Sequence, residues 1–472
     1  MLDVIQNNFE LPFQPYPFQT RIADAAFRAN RALISLKVGK GKTLVATLSF
    51  LMASELSNIS SALVLVPAPL VHQWSKWFSR IKIKGLNKPL SVLEYTGTPA
   101  KRAKMVFNTD CIVMSHHIFR KDYARILSEL GKKPNVMVIY DEAQDGLRKK
   151  TNKIWKYLTT FIINKPFIAL SGTPANTPED MYGLLGILDP FAYPTRRSFE
   201  NEHIENRDFW GQVTEWKNLD ILRDRFYSSC FDINPDEDNQ VTPSVIDKVS
   251  YQLSSQHKIA YDELAESGWL TVDGQTLTAL QTKNLFHMLQ QFITSPDKLR
   301  CPKFSVDNLA KLLFAICDED DSKMVIFGNY RNTNNTILDA LKHQYGDDSA
   351  VGVWGDVDRG TQQKNLELFK DPNSSVRWLV GNPKSLGVGT DGLQDVCFRV
   401  AFVEMPLTPS QFEQACGRVD REGQKNRPCV IRCLVAENTI QESLFDAFLN
   451  KSDLLQMILH HQVDYRKFFN PI

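Results

Sequence analysis

Little in the composition assigns this chain to a functional class. No apolar run approaches the ~20 residues that a bilayer-spanning helix needs, which excludes a helical membrane protein. The eight cysteines (Cys111, Cys230, Cys301, Cys317, Cys397, Cys416, Cys429 and Cys433) are dispersed and include no CxxC pair. That argues against both a disulfide framework and a zinc ribbon, so reduced, mostly buried thiols in a cytosol are expected. Net charge is +1, giving no global attraction to nucleic acid; any such partner must be read from local patches. Low-complexity tracts are lacking, as are repeats with a period of about 20–50 residues. The start, MLDVIQNNFELPF, has no basic leader followed by an apolar stretch, so a chain that is not cleaved there is expected.

What is present is an ordinary globular balance, 43% apolar and 23% charged residues in 472. At about 150 residues per domain this leaves room for roughly three average domains, or two large ones with an insertion. From residue 31 short apolar runs alternate with helical spacing: ALISL, ALVLV (62–66), SVLEY (91–95), CIVMS (111–115), VMVIY (136–140) and FIAL (167–170). Such runs read as buried strands, and the alternation predicts a mostly parallel sheet covered by helices. The rhythm breaks after 190 and resumes with MVIFG (324–328), AVGVW (350–354), VRWLVG (376–381), FRVAFV (398–403) and CVIRCLV (429–435). The expected division is an α/β lobe over 1–190, a mainly helical insertion and linker over 191–300, and a second α/β lobe over 301–472.

SLKVGKGKTL (35–44) lies between a strand and a helix and looks like a phosphate-binding loop, GxxxxGK[ST], with Leu36 in place of the first glycine. In a working loop, N–H groups at the helix start face an anion, Lys42 neutralises the β- and γ-phosphates and the Thr43 hydroxyl ligates Mg2+. A glycine-rich turn is the alternative. VMVIYDEAQ then places Asp141 and Glu142 at the end of a hydrophobic strand, where one carboxylate holds the metal and its neighbour orients or deprotonates the attacking water. The competing reading is an acidic helix cap. In QFEQACGRVDREGQ, Arg418 and Arg421 are expected one turn apart on one helix face. They read either as an exposed basic face or as arginine fingers that stabilise γ-phosphate charge and couple hydrolysis to domain closure.

Together these stretches make the chain resemble the superfamily 2 helicases, and within them the Snf2-like ATP-dependent DNA translocases. Gln19 in PYPFQTRIA matches the adenine-reading glutamine, GKGKT motif I, VPAPLVHQW motif Ia, YDEAQ motif II and SGTPANTPEDMYGLLGILDP motif III with its helix. KMVIFGNY resembles motif IV, SLGVGTDGLQ motif V and QACGRVDREGQ motif VI, in the family's order from about residue 11 to 445. The resemblance implies two RecA-like lobes and a site for ATP and Mg2+. Nucleotide contacts are implied at Gln19, Val38, Gly39, Lys40, Gly41, Lys42, Thr43, Gly389 and Asp391, metal contacts at Thr43 and Asp141, and catalytic roles for Lys42, Asp141, Glu142, Arg418 and Arg421.

DNA is the implied partner, held across both lobes largely through its phosphates. Expected contacts are His72, Gln73 and Trp74 after motif Ia, Ser115 and His116 after the CIVMS strand, and Ser385 and Thr390 in motif V. Two basic stretches add to these: KWFSRIKIKGLNK (76–88), and LRKKTNKIWK (147–156) with Lys149 and Lys150. His116-His117 and His460-His461 lack cysteines at ligand spacing and are expected to be ordinary histidines. Gln144 stands where the family commonly has histidine, Gly417 where it often has an acid, and SLKV where it has a DEMG-like lead. These departures point to a compact bacterial or phage enzyme acting in the cytoplasm on naked, branched DNA, by branch migration or fork remodelling. An RNA helicase, the motor subunit of a restriction-type assembly and a nucleotide-gated scaffold are the alternatives.

Overall fold

A computed structural model describes residues 2–449, apart from 38, 176, 208, 210, 212, 234–243, 273–274, 279–281, 387–391, 407 and 422–423. The chain divides into two compact units, Met1–Gln240 and Val241–Ile472. In the first, strands β1 (Arg31–Ser35), β2 (Ser61–Val66), β3 (Val92–Glu94), β4 (Cys111–Ser115), β5 (Val136–Tyr140), β6 (Phe167–Ser171) and β7 (Cys230–Phe231) form a seven-stranded sheet in the order β7-β1-β6-β5-β2-β4-β3. Every pairing is parallel. Parallel strands need helical crossovers and are covered on both faces, and so β4, β5 and β6 are buried at every position.

The second unit repeats the plan. Strands β8 (Val245–Tyr251), β9 (Lys323–Phe327), β10 (Ala350–Val353), β11 (Trp378–Gly381), β12 (Cys397–Phe402) and β13 (Val430–Ala436) form a six-stranded sheet in the order β8-β13-β12-β9-β11-β10, again parallel throughout. The eleven strands expected from apolar runs are all present within a residue or two of their expected ends. The expected fold class, two α/β lobes with parallel sheets, is what the chain adopts.

The stretch 191–300 is less separate than the sequence suggests. It holds helices Arg196–His203, Leu219–Tyr227, Ser255–Ser267 and Thr282–Thr294, but also β7, which joins the first sheet, and β8, which joins the second. Its apolar side chains are shared out accordingly: Phe199, Leu222 and Phe226 in the first core, Tyr261, Phe286 and Phe292 in the second. Short strands escaped notice because charged residues interrupt them, as in the exposed hairpin Ile204–Arg207 with Val213–Trp216.

Helix Lys42–Leu56 is buried along Leu44–Ala53, so it runs through the interior of the first unit. It packs on helix Pro17–Ala29, where Ser49 Oγ reaches the Ala23 carbonyl at 3.0 Å. All eight cysteines are buried thiols outside any disulfide, and no described helix is long and apolar enough to cross a membrane.

Candidate nucleotide site

The candidate residues of the first unit gather at the C-terminal ends of β1, β6, β5 and β2, the edge where open parallel sheets bind ligands. β1 ends at Ser35, and Leu36 is fully buried just beyond it. The chain then turns through Gly39 (φ 86°) and Gly41 (φ 78°) into helix Lys42–Leu56. A side chain at either glycine would be strained in this left-handed conformation, so the compact GKGKT loop depends on both. The helix start has no side-chain cap hydrogen bond, and an uncapped helix N-terminus is the arrangement that receives an anion. Lys42 Nζ donates to the Leu36 carbonyl at 2.9 Å.

Gln19 is fully buried, and both ends of its amide are engaged. Its Oε1 accepts from Tyr16 N at 2.9 Å, satisfying the amide at the helix N-cap, and its Nε2 donates to the Lys40 carbonyl at 3.2 Å. In this conformation the expected adenine reader braces the phosphate loop.

Asp141 follows β5, is 6% exposed and receives two hydrogen bonds: Trp74 Nε1 to Oδ2 at 2.9 Å and Glu142 N to Oδ1 at 3.0 Å. Burial and the adjacent Glu142 push its pKa upward, while the Trp74 hydrogen bond and the Lys42 charge pull it down. A carboxylate whose anionic form burial disfavours gains from a further cation beside it. The carboxylate of Asp141 and the hydroxyl of Thr43 are hard oxygen donors that fit Mg2+; among the described residues no group of three or more His, Cys, Asp and Glu is placed to hold a metal ion.

Glu142 adopts φ 55°, rare for a non-glycine residue and characteristic of functional sites. Its carboxylate accepts from Gln144 Nε2, and Gln144 Oε1 accepts from Ser171 Oγ at 2.6 Å. Ser171 Oγ in turn accepts from Thr173 N at 3.1 Å. A continuous polar chain thus joins the ends of β5 and β6. Arg148 secures the same loop, with Nε donating to the Pro174 carbonyl at 3.0 Å and Nη2 to that of Thr173. Sequence reasoning noted Gln144 as a departure but missed its role, and it placed Trp77 and Arg148 only within basic stretches read for nucleic acid, not beside this site. The Trp74/Trp77 spacing was the available signal.

Three expected nucleic-acid contacts are corrected. Trp74 is 2% exposed and spent on Asp141, because helix Val71–Phe78 turns its apolar face to the sheet. Ser115 is buried and caps helix His116–Lys121 through Ile118 N at 3.2 Å. The His116 ring stacks on Tyr140 at 4.2 Å, and burial lowers its pKa to about 4, so it is a neutral packing group. His72 and Lys149 are exposed, Gln73 is half-buried, and His72 Nδ1 lies 3.3 Å from Glu94. Lys150 Nζ sits 3.6 Å from the Tyr182 ring centroid, and burial, with the nearby Arg196 charge, lowers its pKa to about 8.

In the second unit, Arg418 and Arg421 do not share a helix face. Helix Pro409–Cys416 ends with Gly417 as C-cap, and both arginines lie in the turn beyond it. Arg418 is 7% exposed and Arg421 half-buried. Asp420 anchors this turn, accepting from Arg427 at 2.8 Å and Ser244 at 2.6 Å. Ser385 lies in the short helix Pro383–Leu386. Val38, Gly389, Thr390, Asp391, His460 and His461 lie outside the described residues.

The chain is similar over most of its length to known proteins. A DNA repair and recombination protein RAD54-like of Drosophila grimshawi is 24% identical over 501 aligned residues, covering 93% of this chain and 61% of that protein. The chain therefore spans about three fifths of such relatives' length. An uncharacterized ATP-dependent helicase of Bacillus subtilis (strain 168), YqhH, is 21% identical, covering 95% of this chain and 80% of its own. Among solved structures, the Sulfolobus solfataricus SWI2/SNF2 ATPase core in complex with dsDNA aligns with 97% of this chain and 94% of its own at 17% identity and a TM-score of 0.44. Residues 29–319 match the SNF2-related domain, and the chain belongs to that family.

Proposed function

We propose that this protein is an ATP-dependent DNA translocase or helicase that couples ATP hydrolysis to movement on DNA, with branched or forked duplexes as its preferred substrate. The observation that carries the reading is the convergence of Lys42, Thr43, Asp141 and Glu142 at one edge of the first sheet. The names of its relatives, DNA repair and recombination proteins and an ATP-dependent helicase, support the same reading.

ATP phosphates dock at the N-terminus of helix Lys42–Leu56, and the Lys42 ammonium exchanges the Leu36 carbonyl for the β- and γ-phosphates. Thr43 and Asp141 are the residues that would hold Mg2+, which would supply charge neutralisation on the phosphate oxygens. Glu142, aimed by Gln144, orients the attacking water and takes its proton. Arg418 and Arg421 are the candidates for the positive charge that stabilises a transferring phosphoryl group. Exposed His72 and Lys149, with half-buried Gln73 and Ser385, contribute contacts to the DNA backbone.

Turnover and nucleotide binding of wild type, Lys42→Ala and Glu142→Gln test this. Glu142→Gln is expected to bind ATP and fail to hydrolyse it, and Lys42→Ala to lose both. Wild-type turnover that survives either substitution rejects the site. Stimulation by RNA that matches or exceeds stimulation by duplex DNA rejects the substrate class in favour of an RNA helicase.

A further inference from the structure

Helix Val71–Phe78 carries two tryptophans at i and i+3, a spacing that puts both indoles on one side of a helix. Each serves one half of the candidate metal site. Trp74 Nε1 donates to Asp141 Oδ2 at 2.9 Å inside the core. Trp77 Nε1 donates to Thr47 Oγ1 at 2.9 Å, and Thr47 Oγ1 donates to the Thr43 carbonyl at 2.7 Å. Asp141 comes from the end of β5 and Thr43 from the helix after β1, with β6 between these strands, so no sheet pairing aligns them directly. The helix that follows β2 reaches both.

We propose that Trp74 and Trp77 are positioning residues for the divalent cation, holding the Asp141 carboxylate and the helical turn that presents Thr43 in the mutual register a Mg2+ ion requires. Mg2+ demands near-ideal octahedral geometry, so the spacing of its two protein oxygens matters more than for a softer or larger ion. Hydrogen-bond partners of metal ligands orient those ligands, and here one rigid element supplies both orienting groups. The bond to Trp74 has a second effect. It occupies one lobe of Oδ2, which limits the directions from which that oxygen meets a cation. The inference rests on the reading of Asp141 and Thr43 as the groups that hold the metal.

The test titrates Mg2+ against a fluorescent ATP analogue bound to the intact chain, for wild type, Trp74→Phe, Trp77→Phe and Val71→Ala, with thermal melts of each. Val71 is buried in the same helix, and its side chain donates nothing. Trp74→Phe keeps a ring and loses the N–H, and is expected to raise the half-saturating Mg2+ concentration about 10- to 100-fold while nucleotide binding in EDTA stays at the wild-type level. Trp77→Phe shifts it in the same direction by a smaller factor, because its link to Thr43 passes through Thr47. Val71→Ala lowers melting temperature without moving the Mg2+ requirement. An unshifted Mg2+ requirement in both tryptophan variants overturns the inference, as does an equal shift in Val71→Ala, while Mg2+-dependent binding by wild type leaves the site itself standing. Wild-type binding that ignores Mg2+ overturns the site and this inference together.

Discussion

The side chain of Gln144 holds that of Glu142: its Nε2 donates to Glu142 Oε2 while its Oε1 is fixed by Ser171 Oγ at 2.6 Å. A glutamine amide is uncharged across the accessible pH range, so this restraint does not depend on protonation as a histidine's does. Gln144→Ala frees the Glu142 carboxylate and is expected to slow ATP turnover about 10-fold or more with little change in nucleotide affinity. Ser171→Ala acts on the same chain, so the double variant is expected to fall short of the summed effects. Steady-state kcat and KM for the four proteins check this.

Gly183, in helix Pro178–Leu188, marks the closest approach behind the site. A Cβ there would lie 1.8 Å from the Arg148 carbonyl oxygen. Gly183→Ala must push that backbone away and, with it, the Arg148 side chain that secures the Thr173 and Pro174 carbonyls. The expected cost is about 1–3 kcal/mol or more in denaturant unfolding. Turnover is expected to drop with it.

Gln19→Ala removes a cap and a brace at once. Tyr16 N loses its acceptor and the Lys40 carbonyl its donor. Loss of the cap alone costs about 1 kcal/mol. The phosphate loop is expected to loosen, read as a raised KM for ATP; an unchanged KM with lowered stability limits Gln19 to the cap.

Acid sensitivity is expected from His257. Burial lowers its pKa, and its Nε2 hydrogen-bonds to the Phe292 carbonyl at 2.8 Å, a contact in which the nitrogen carries the proton. The unfolded chain takes up a second proton near pH ~6.5, before the folded chain does. Stability therefore falls as pH drops below that value toward the lowered folded pKa. His257→Phe is expected to be less stable than wild type at neutral pH, and the gap is expected to narrow in acid, as measured by urea unfolding at neutral and acid pH.

Strands of the two sheets could be located from sequence because parallel strands buried on both faces are continuous apolar runs, as VMVIY and CIVMS show. The positions of the GKGKT turn and of the Asp141-Glu142 pair, between strand and helix and at a strand end, were equally visible, since short apolar runs and glycines mark them. Direction was what sequence could not supply. Trp74 sits in a motif that suggests a ligand, yet its position on helix Val71–Phe78 turns it to the core, and only the fold reveals that Asp141 waits there. Arg418 and Arg421 obeyed helical spacing on paper, but the chain leaves the helix at Gly417. Residues 191–300 hid β7 and β8, whose partners lie far away in sequence at β1 and β13.

The most direct test of the central claim is displacement of a third strand from a duplex, because a protein moving along DNA strips a triplex that a stationary ATPase leaves in place. Wild type is expected to displace the strand with ATP and Mg2+, and to fail with a non-hydrolysable analogue or as Lys42→Ala. Brisk DNA-stimulated ATP turnover with the triplex left intact, or displacement without ATP, would contradict the account.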